Sequence, residues 1–346
     1  MFSALVMGCA GKTKDTGKIE DTTETVSETE TVTETENENS GDIGENKDDN
    51  REEEDVDKES FATGINTEDS GQSAGTGREE KNDVWEFVLD DSIEEFCPAA
   101  IAEPRDGVTY GEYTHGTYFS KTCGLERGYN ILLPAGYSED KQYPVLYLLH
   151  GIFGNEYSFS GDPANRIKEI VGNMTADGII EETIVVCPNM FATTDPEQQP
   201  GFDAESVRPY DNFINDLIKD LMPHIEKTYS VKTGRDNTAI TGFSMGGRES
   251  LLIGTKRPDL FSYIGAICPA PGASTDFKLG TENDPHLIYL TAGTDDKTVY
   301  TIPVGYHDDM VKKNIPHVWQ YVQGGYHGDN SIHAHLYNFV RYIFKA

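Results

Sequence analysis

Gly242-Phe243-Ser244-Met245-Gly246, followed at once by Gly247, is the stretch on which the reading of this chain turns. An apolar run of β character, Thr238-Ala239-Ile240-Thr241, stands ahead of it, and Arg248-Glu249-Ser250-Leu251-Leu252-Ile253 behind it has helical spacing. In a strand–turn–helix context, G-x-S-x-G lifts a serine hydroxyl clear of a sheet, and the glycines let strand and helix approach without Cβ clashes. The same five residues also suit an ordinary turn with a capping serine. What separates the two readings is whether the chain also supplies a base, an orienting acid and oxyanion donors.

Working outward, Tyr143–Leu149 and Thr183–Asn189 are near-continuous apolar runs, the pattern of strands buried on both faces. Further strands are expected at Tyr263–Cys268, His286–Gly293 and His317–Val322, with antiparallel edge strands within 108–135. Helices are expected at 164–175, over Tyr210–Tyr229 with a kink at Pro223, around Val304–Asn314 and from about Ile332 to Phe344. The segment Met190–Pro209, rich in Pro, Asp and Gln, reads as a long rim loop. Buried strands alternating with helices predict a mostly parallel central sheet flanked by helices, with functional loops at the strands' carboxyl ends.

Ser244 then reads as a nucleophile that needs a base within hydrogen-bond reach. Of nine histidines, His327 in Gly324-Gly325-Tyr326-His327-Gly328-Asp329 follows the last strand and lies C-terminal to its partners, the order this chemistry takes on such a sheet. His333 and His335 read as helix-face residues, and His150 as a residue that shapes its loop. The acid belongs after a strand between Ser244 and His327. Gly293-Thr294-Asp295-Asp296 fits, and spacing leaves Asp295 and Asp296 open. The oxyanion donors are expected to be the backbone N–H groups of Met245, directly after the nucleophile, and Ile152 in His150-Gly151-Ile152-Phe153-Gly154. The mechanism requires no cofactor and no metal.

Leu149-His150-Gly151-Ile152-Phe153-Gly154-Asn155-Glu156, Tyr210-Asp211-Asn212-Phe213, Gly242-Phe243-Ser244-Met245-Gly246-Gly247, Gly293-Thr294-Asp295-Asp296 and Gly324-Gly325-Tyr326-His327 occur in that order. Together they resemble the esterase D / feruloyl esterase group of α/β-hydrolases, carbohydrate esterase family 1. The resemblance spans about 108–346 and implies an α/β-hydrolase fold with Asp296 as the acid. It also implies a serine carboxylic-ester hydrolase that removes feruloyl or acetyl groups from plant cell-wall xylan. Feruloyl esterases often read H-D-W-x-x-W from the histidine that His327 matches; here Gly328 stands at the aspartate, and Asp329 and Ile332 stand at the tryptophans. Aromatic pocket surface is therefore sought at Tyr157, Phe159, Phe191 and Phe202. The same triad would also serve an acyltransferase resembling mycolyltransferases, a thioester or siderophore-ester hydrolase or, with its chemistry lost, a binding module.

Charge divides the chain. Residues 1–80 hold 23 acidic and 7 basic side chains, half of the net −32, and only two aromatics, Phe2 and Phe61. Such a composition cannot bury enough apolar surface to fold, so 10–83 is expected to be a disordered acidic linker and 84–346 the catalytic domain. The acidity argues against nucleic acid as a partner. Val6-Met7-Gly8-Cys9 resembles a bacterial lipobox. Residues 1–9 thus read as a short lipoprotein signal, with Cys9 the lipidation candidate, membrane contact only through that anchor, and an extracellular or cell-surface location. The other cysteines show no zinc spacing: Cys187 and Cys268 read as buried hydrophobes, and Cys97 and Cys123 as a pair that could bond in an oxidising compartment.

Overall fold

The first two strands, β1 (Tyr113–Ser120) and β2 (Leu125–Leu132), form an antiparallel hairpin at one edge of the sheet. The computed structural model describes residues 93–161 and 165–345. Cys9, the 10–83 linker and the start of the 84–346 domain lie outside the described residues. A short helix α1 (Ala99–Ala102) precedes the hairpin, and β3 (Val145–Leu149), α2 (Ile167–Ala176) and β4 (Ile184–Pro188) follow it. Next come α3 (Ala204–Asp216), a π-helical turn (Leu217–Leu221), α4 (Met222–Thr228), β5 (Thr238–Gly242), α5 (Met245–Lys256) and β6 (Tyr263–Ile267). The chain closes with β7 (Leu287–Gly293), α6 (Ile302–Lys312), β8 (Val318–Val322) and α7 (Asp329–Tyr342). The strands make one eight-stranded sheet in the order β1-β2-β4-β3-β5-β6-β7-β8. From β4 to β8 every pairing is parallel.

Alternation along β3 shows how the sheet is covered. Val145, Tyr147 and Leu149 join a cluster with Tyr210, Phe213 and Leu251 from α3 and α5. Leu146 and Leu148 join Ile170, Met174, Leu336 and Phe339 from α2 and α7 on the other face. Both faces are apolar, which is why the central strands read as unbroken hydrophobic runs. Cys97 and Cys123 are free thiols packed with opposite faces of the sheet, so the disulfide considered from sequence is not formed. Cys187 and Cys268 are buried. No helix among the described residues is long and apolar enough to cross a membrane.

The expected Tyr210–Tyr229 helix starts earlier and is built differently. Asp203 caps α3 by accepting from the N–H groups of Glu205 and Ser206. Pro209 sits inside α3, where it cannot donate to the carbonyl of Glu205. The Gln198 side-chain amide, at 3.3 Å, donates to that oxygen instead. The helix widens at Leu217–Leu221, and the Met222 N–H reaches back to the Leu217 carbonyl. Pro223 therefore falls in the first turn of α4, where a missing N–H is harmless, instead of kinking a continuous helix.

Candidate active site

The loops after β3, β5, β7 and β8 meet at the carboxyl edge of the parallel strands, and Ser244 stands among them. Its backbone is held at φ 56° and ψ −111°, a conformation a non-glycine residue adopts only under constraint. The Ser244 N–H donates to the Ile267 carbonyl at 2.8 Å, and its own carbonyl accepts from Arg248 and Ala270. A Cβ on Gly246 would lie 2.3 Å from the Leu149 carbonyl oxygen, and one on Gly242 2.5 Å from the Gly246 backbone. The start of α5 is thus pressed onto the ends of β3 and β5, which only glycine allows.

His327 Nε2 lies 3.0 Å from Ser244 Oγ, and Nδ1 lies 2.8 Å from Asp296 Oδ2. An ionised carboxylate only accepts, so Nδ1 carries the proton and Nε2 is left as an acceptor for the serine O–H. Asp296 is buried, and its other oxygen accepts from the N–H groups of Thr298 and Val299. Burial pushes the Asp296 carboxyl up. The hydrogen bonds from His327, Val299 and Thr298 outweigh it and hold the group below the usual carboxylate range. Phe243 flanks the imidazole, with ring centroids 4.7 Å apart. Asp295 is exposed and accepts from Thr294 Oγ1; among the described residues the carboxylate hydrogen-bonded to His327 is that of Asp296, the aspartate the resemblance implies.

Gly151 lies against the elbow: a Cβ there would be 3.2 Å from the Phe243 ring and 3.6 Å from Ser244 Cβ. This brings the Ile152 backbone beside the serine. Among the described residues neither the Ile152 nor the Met245 N–H has an acceptor. His150 fixes the loop from below. Its Nε2 accepts from the Met190 N–H at 2.9 Å, so Nδ1 bears the proton and donates to the Gly151 carbonyl. Burial lowers His150 to about 4, and it stays neutral.

The aromatic candidates divide. Phe159 and Phe191 are buried, one in each of the two cores, a facing that sequence does not reveal. Tyr157 is exposed and stacks on His115. Phe202 is 81% exposed and meets Phe153, 56% exposed, edge to face at 5.1 Å. Phe153, directly after Ile152, was not singled out from sequence. Its φ of 64° spends strain to present a phenyl ring at the rim.

Other contributors also emerge only in three dimensions. Arg127 joins Asp216 at 3.0 Å and donates to the Asn189 and Phe191 carbonyls, pinning the loop after β4. Arg248 pairs with Asp211 and Glu249; burial raises the Glu249 carboxyl to about 8 although Arg248 opposes the shift. Cys268 lies within 4.8 Å of the donor atoms of Asp296 and His327. Burial raises its thiol to about 12 and both His327 nitrogens are already engaged, so this donor set does not suit a metal ion.

A nucleophile elbow, a carboxylate-backed histidine and a glycine loop on a mostly parallel sheet define the α/β-hydrolase class. A family model described as "Putative esterase" matches residues 120–327, and the chain belongs to this esterase family. An endo-1,4-β-xylanase/feruloyl esterase of Xylanibacter ruminicola is 31% identical over 201 residues, 56% of this chain and 26% of that protein. Endo-1,4-β-xylanase Y of Acetivibrio thermocellus is 27% identical over 146 residues, 39% of this chain and 12% of that protein. The chain therefore spans about a quarter or less of the length of these relatives. Among solved structures, a CE1 ferulic acid esterase of Anaeromyces mucronatus in complex with ferulic acid superposes with a TM-score of 0.67. It is 38% identical, over 73% of this chain and 97% of that one.

Proposed function

We propose that this chain is a serine carboxylic-ester hydrolase that removes feruloyl or acetyl groups from xylan. The observation that carries the proposal is the unbroken hydrogen-bonded line from Ser244 through His327 to Asp296, beside two unpaired backbone N–H groups. Ser244 Oγ attacks the ester carbonyl as His327 Nε2 takes its proton. The N–H groups of Ile152 and Met245 hold the oxyanion. The tetrahedral intermediate expels the sugar alkoxide, which takes the proton from His327, and leaves an acyl-serine. His327 then deprotonates water, which attacks the acyl carbon; the proton returns to Ser244 and the carboxylic acid leaves. Asp296 orients the imidazole and stabilises its cation.

Support for the substrate comes from the relatives named as feruloyl esterases. Phe153 and Phe202 offer an exposed aromatic surface next to the oxyanion loop, suited to a phenolic acyl group. We also infer an extracellular or cell-surface location, with Cys9 as lipid anchor and 10–83 as a tether reaching insoluble substrate; the support is the lipobox-like Val6–Cys9 and the acidic composition. Palmitate labelling lost in Cys9→Ala supports the anchor, and unlabelled wild type contradicts it. For the chemistry, the full chain is incubated with feruloylated, acetylated arabinoxylan. Ferulate or acetate release that is lost in Ser244→Ala supports the reading, and release of neither by the wild type contradicts it.

A further inference from the structure

We infer that the polysaccharide main chain is held in a polar groove remote from Ser244, along the same edge of the sheet; this rests on the reading above. Two adjoining cavities define it. One, of about 250 Å³, lies between the loop after β4 and α3, lined among others by Thr193, Thr194, Arg208 and Asn212. The other, of about 470 Å³, lies between the β1–β2 turn and α3 with its π-helical turn, lined by Lys121, Thr122, Asn212, Asn215, Lys219 and Asp220. Asn212 lines both, so the two form one path.

Topology places this path in line with the reaction. The antiparallel pairing of β2 with β4 sets Tyr129 opposite Pro188, so the start of β2, and with it the β1–β2 turn, extends past the carboxyl end of β4. The turn therefore stands at the same edge as the elbow after β5. Strand order puts β3, β4 and β2 between β5 and β1. At roughly 4.8 Å per strand, the four steps span roughly 19 Å. The loops over that span follow the strand order: the elbow with Ser244 after β5, the loop with Phe153 after β3, the loop with Thr193 and Phe202 after β4, and the β1–β2 turn with Thr122.

The groove lining suits a hydroxyl-rich chain. Its floor is a fixed line of hydrogen bonds: Lys219 Nζ donates to Asn215 Oδ1, Asn215 Nδ2 to Asn212 Oδ1, and Asn212 Nδ2 to the Ala192 carbonyl. Each carboxamide is held by its neighbours yet keeps a second N–H and further acceptor capacity, the paired donor and acceptor that adjacent sugar hydroxyls need. Arg208 is exposed and forms no ion pair among the described residues. The lining carries both charge signs and few apolar side chains, favouring an uncharged, hydroxylated polymer over an amphipathic helix or an anionic chain.

The test uses the full chain with Arg208→Ala and Asn215→Ala combined, and reads the ratio of kcat/KM on feruloylated arabinoxylan to that on methyl ferulate. The ratio is expected to fall about tenfold. Lys168→Ala, in the cavity at the opposite edge beside Glu182, is expected to leave the ratio in place. In a Ser244→Ala background, binding of unesterified xylan, followed by affinity electrophoresis, is expected to be lost with the double substitution. Because Arg208 is exposed, Arg208→Glu alone is a second probe, expected to lower the ratio in the same direction. An unaltered ratio with unaltered xylan binding overturns the groove and leaves the esterase reading standing. Wild type that turns over methyl ferulate but releases nothing from arabinoxylan overturns the polysaccharide reading, and the groove with it.

Discussion

His327 and His335 lie eight residues apart at the end of the chain, and each uses both ring nitrogens, yet their settings differ. His327 stands between a hydroxyl and a carboxylate. His335 is fully buried between two hydroxyls, Thr241 Oγ1 at 2.8 Å and Thr291 Oγ1 at 2.9 Å. Gly265, on the strand between those threonines, makes the room: a Cβ there would come within 2.7 Å of the His335 ring. Burial lowers His335 to about 3, and no anion stands by to offset it. The comparison teaches that the partner, not the residue type, assigns the work. An imidazole backed by a carboxylate can take up a proton in mid-reaction, whereas one pinned between hydroxyls is a neutral strut joining α7 to the sheet.

The largest effect expected from this division is on turnover. His327→Ala should lower kcat roughly 10⁶-fold without unfolding the protein, since residues of such a unit fail together. Asp296→Asn should cost roughly 10⁴-fold by presenting His327 in the wrong tautomer. Turnover of a soluble aryl ester checks both, and near-wild-type rates in Asp296→Asn would remove the distinction between the two histidines.

His335→Phe should act on stability instead. It takes away the buried Thr241 hydroxyl's partner and leaves Thr291 with the Gln320 Oε1 contact at 3.5 Å, a loss on the order of 2 kcal/mol. Thermal melting should register it, while turnover well below the melting temperature persists. Turnover collapsing in the still-folded variant would break the comparison.

The smallest effect is read from pH. His335 at about 3 and His150 at about 4 are both depressed from the unfolded value near 6.5. The folded state then binds fewer protons than the unfolded one below pH 6.5. The stability these groups contribute is complete above that value and is lost as pH falls toward 4 and then 3. At pH 5 each should account for about 2 kcal/mol. Asp296, also depressed, adds loss in the acid range. Urea midpoints across pH 7 to 4 should show this slope, and His335→Phe should flatten it. A slope unaltered in that variant would mean His335 is not held neutral by burial.

Much of this was legible in the chain because the constraints are local or periodic. The runs at Tyr143–Leu149 and Thr183–Asn189 are apolar throughout because both sheet faces are covered. Ser244, His327 and the Gly293–Asp296 turn are each tied to the end of a strand. Ile152 and Met245 are read as candidate oxyanion donors from their places, one in the glycine loop after an early strand and the other directly after Ser244. Burial of individual side chains was less legible. Phe159 and Phe191 look no different in sequence from Phe202, and their facing depends on neighbours far along the chain. His335 did carry a signal: Ile332, His335, Leu336 and Phe339 share helical spacing, which puts the imidazole on the buried stripe of α7. The early start of α3 was hidden by Pro209, whose cost is met by the Gln198 side chain from the loop just ahead of the helix, a contact no helical pattern reveals.

The most direct test is where, and with whose help, the serine is acylated. The full chain is treated with an aryl phosphonate ester and mapped by peptide mass spectrometry. A single adduct on Ser244 that forms rapidly in wild type and in His335→Phe, and at least a thousandfold more slowly in His327→Ala, is the predicted result. An adduct on another residue, or equal labelling in His327→Ala, would contradict the account.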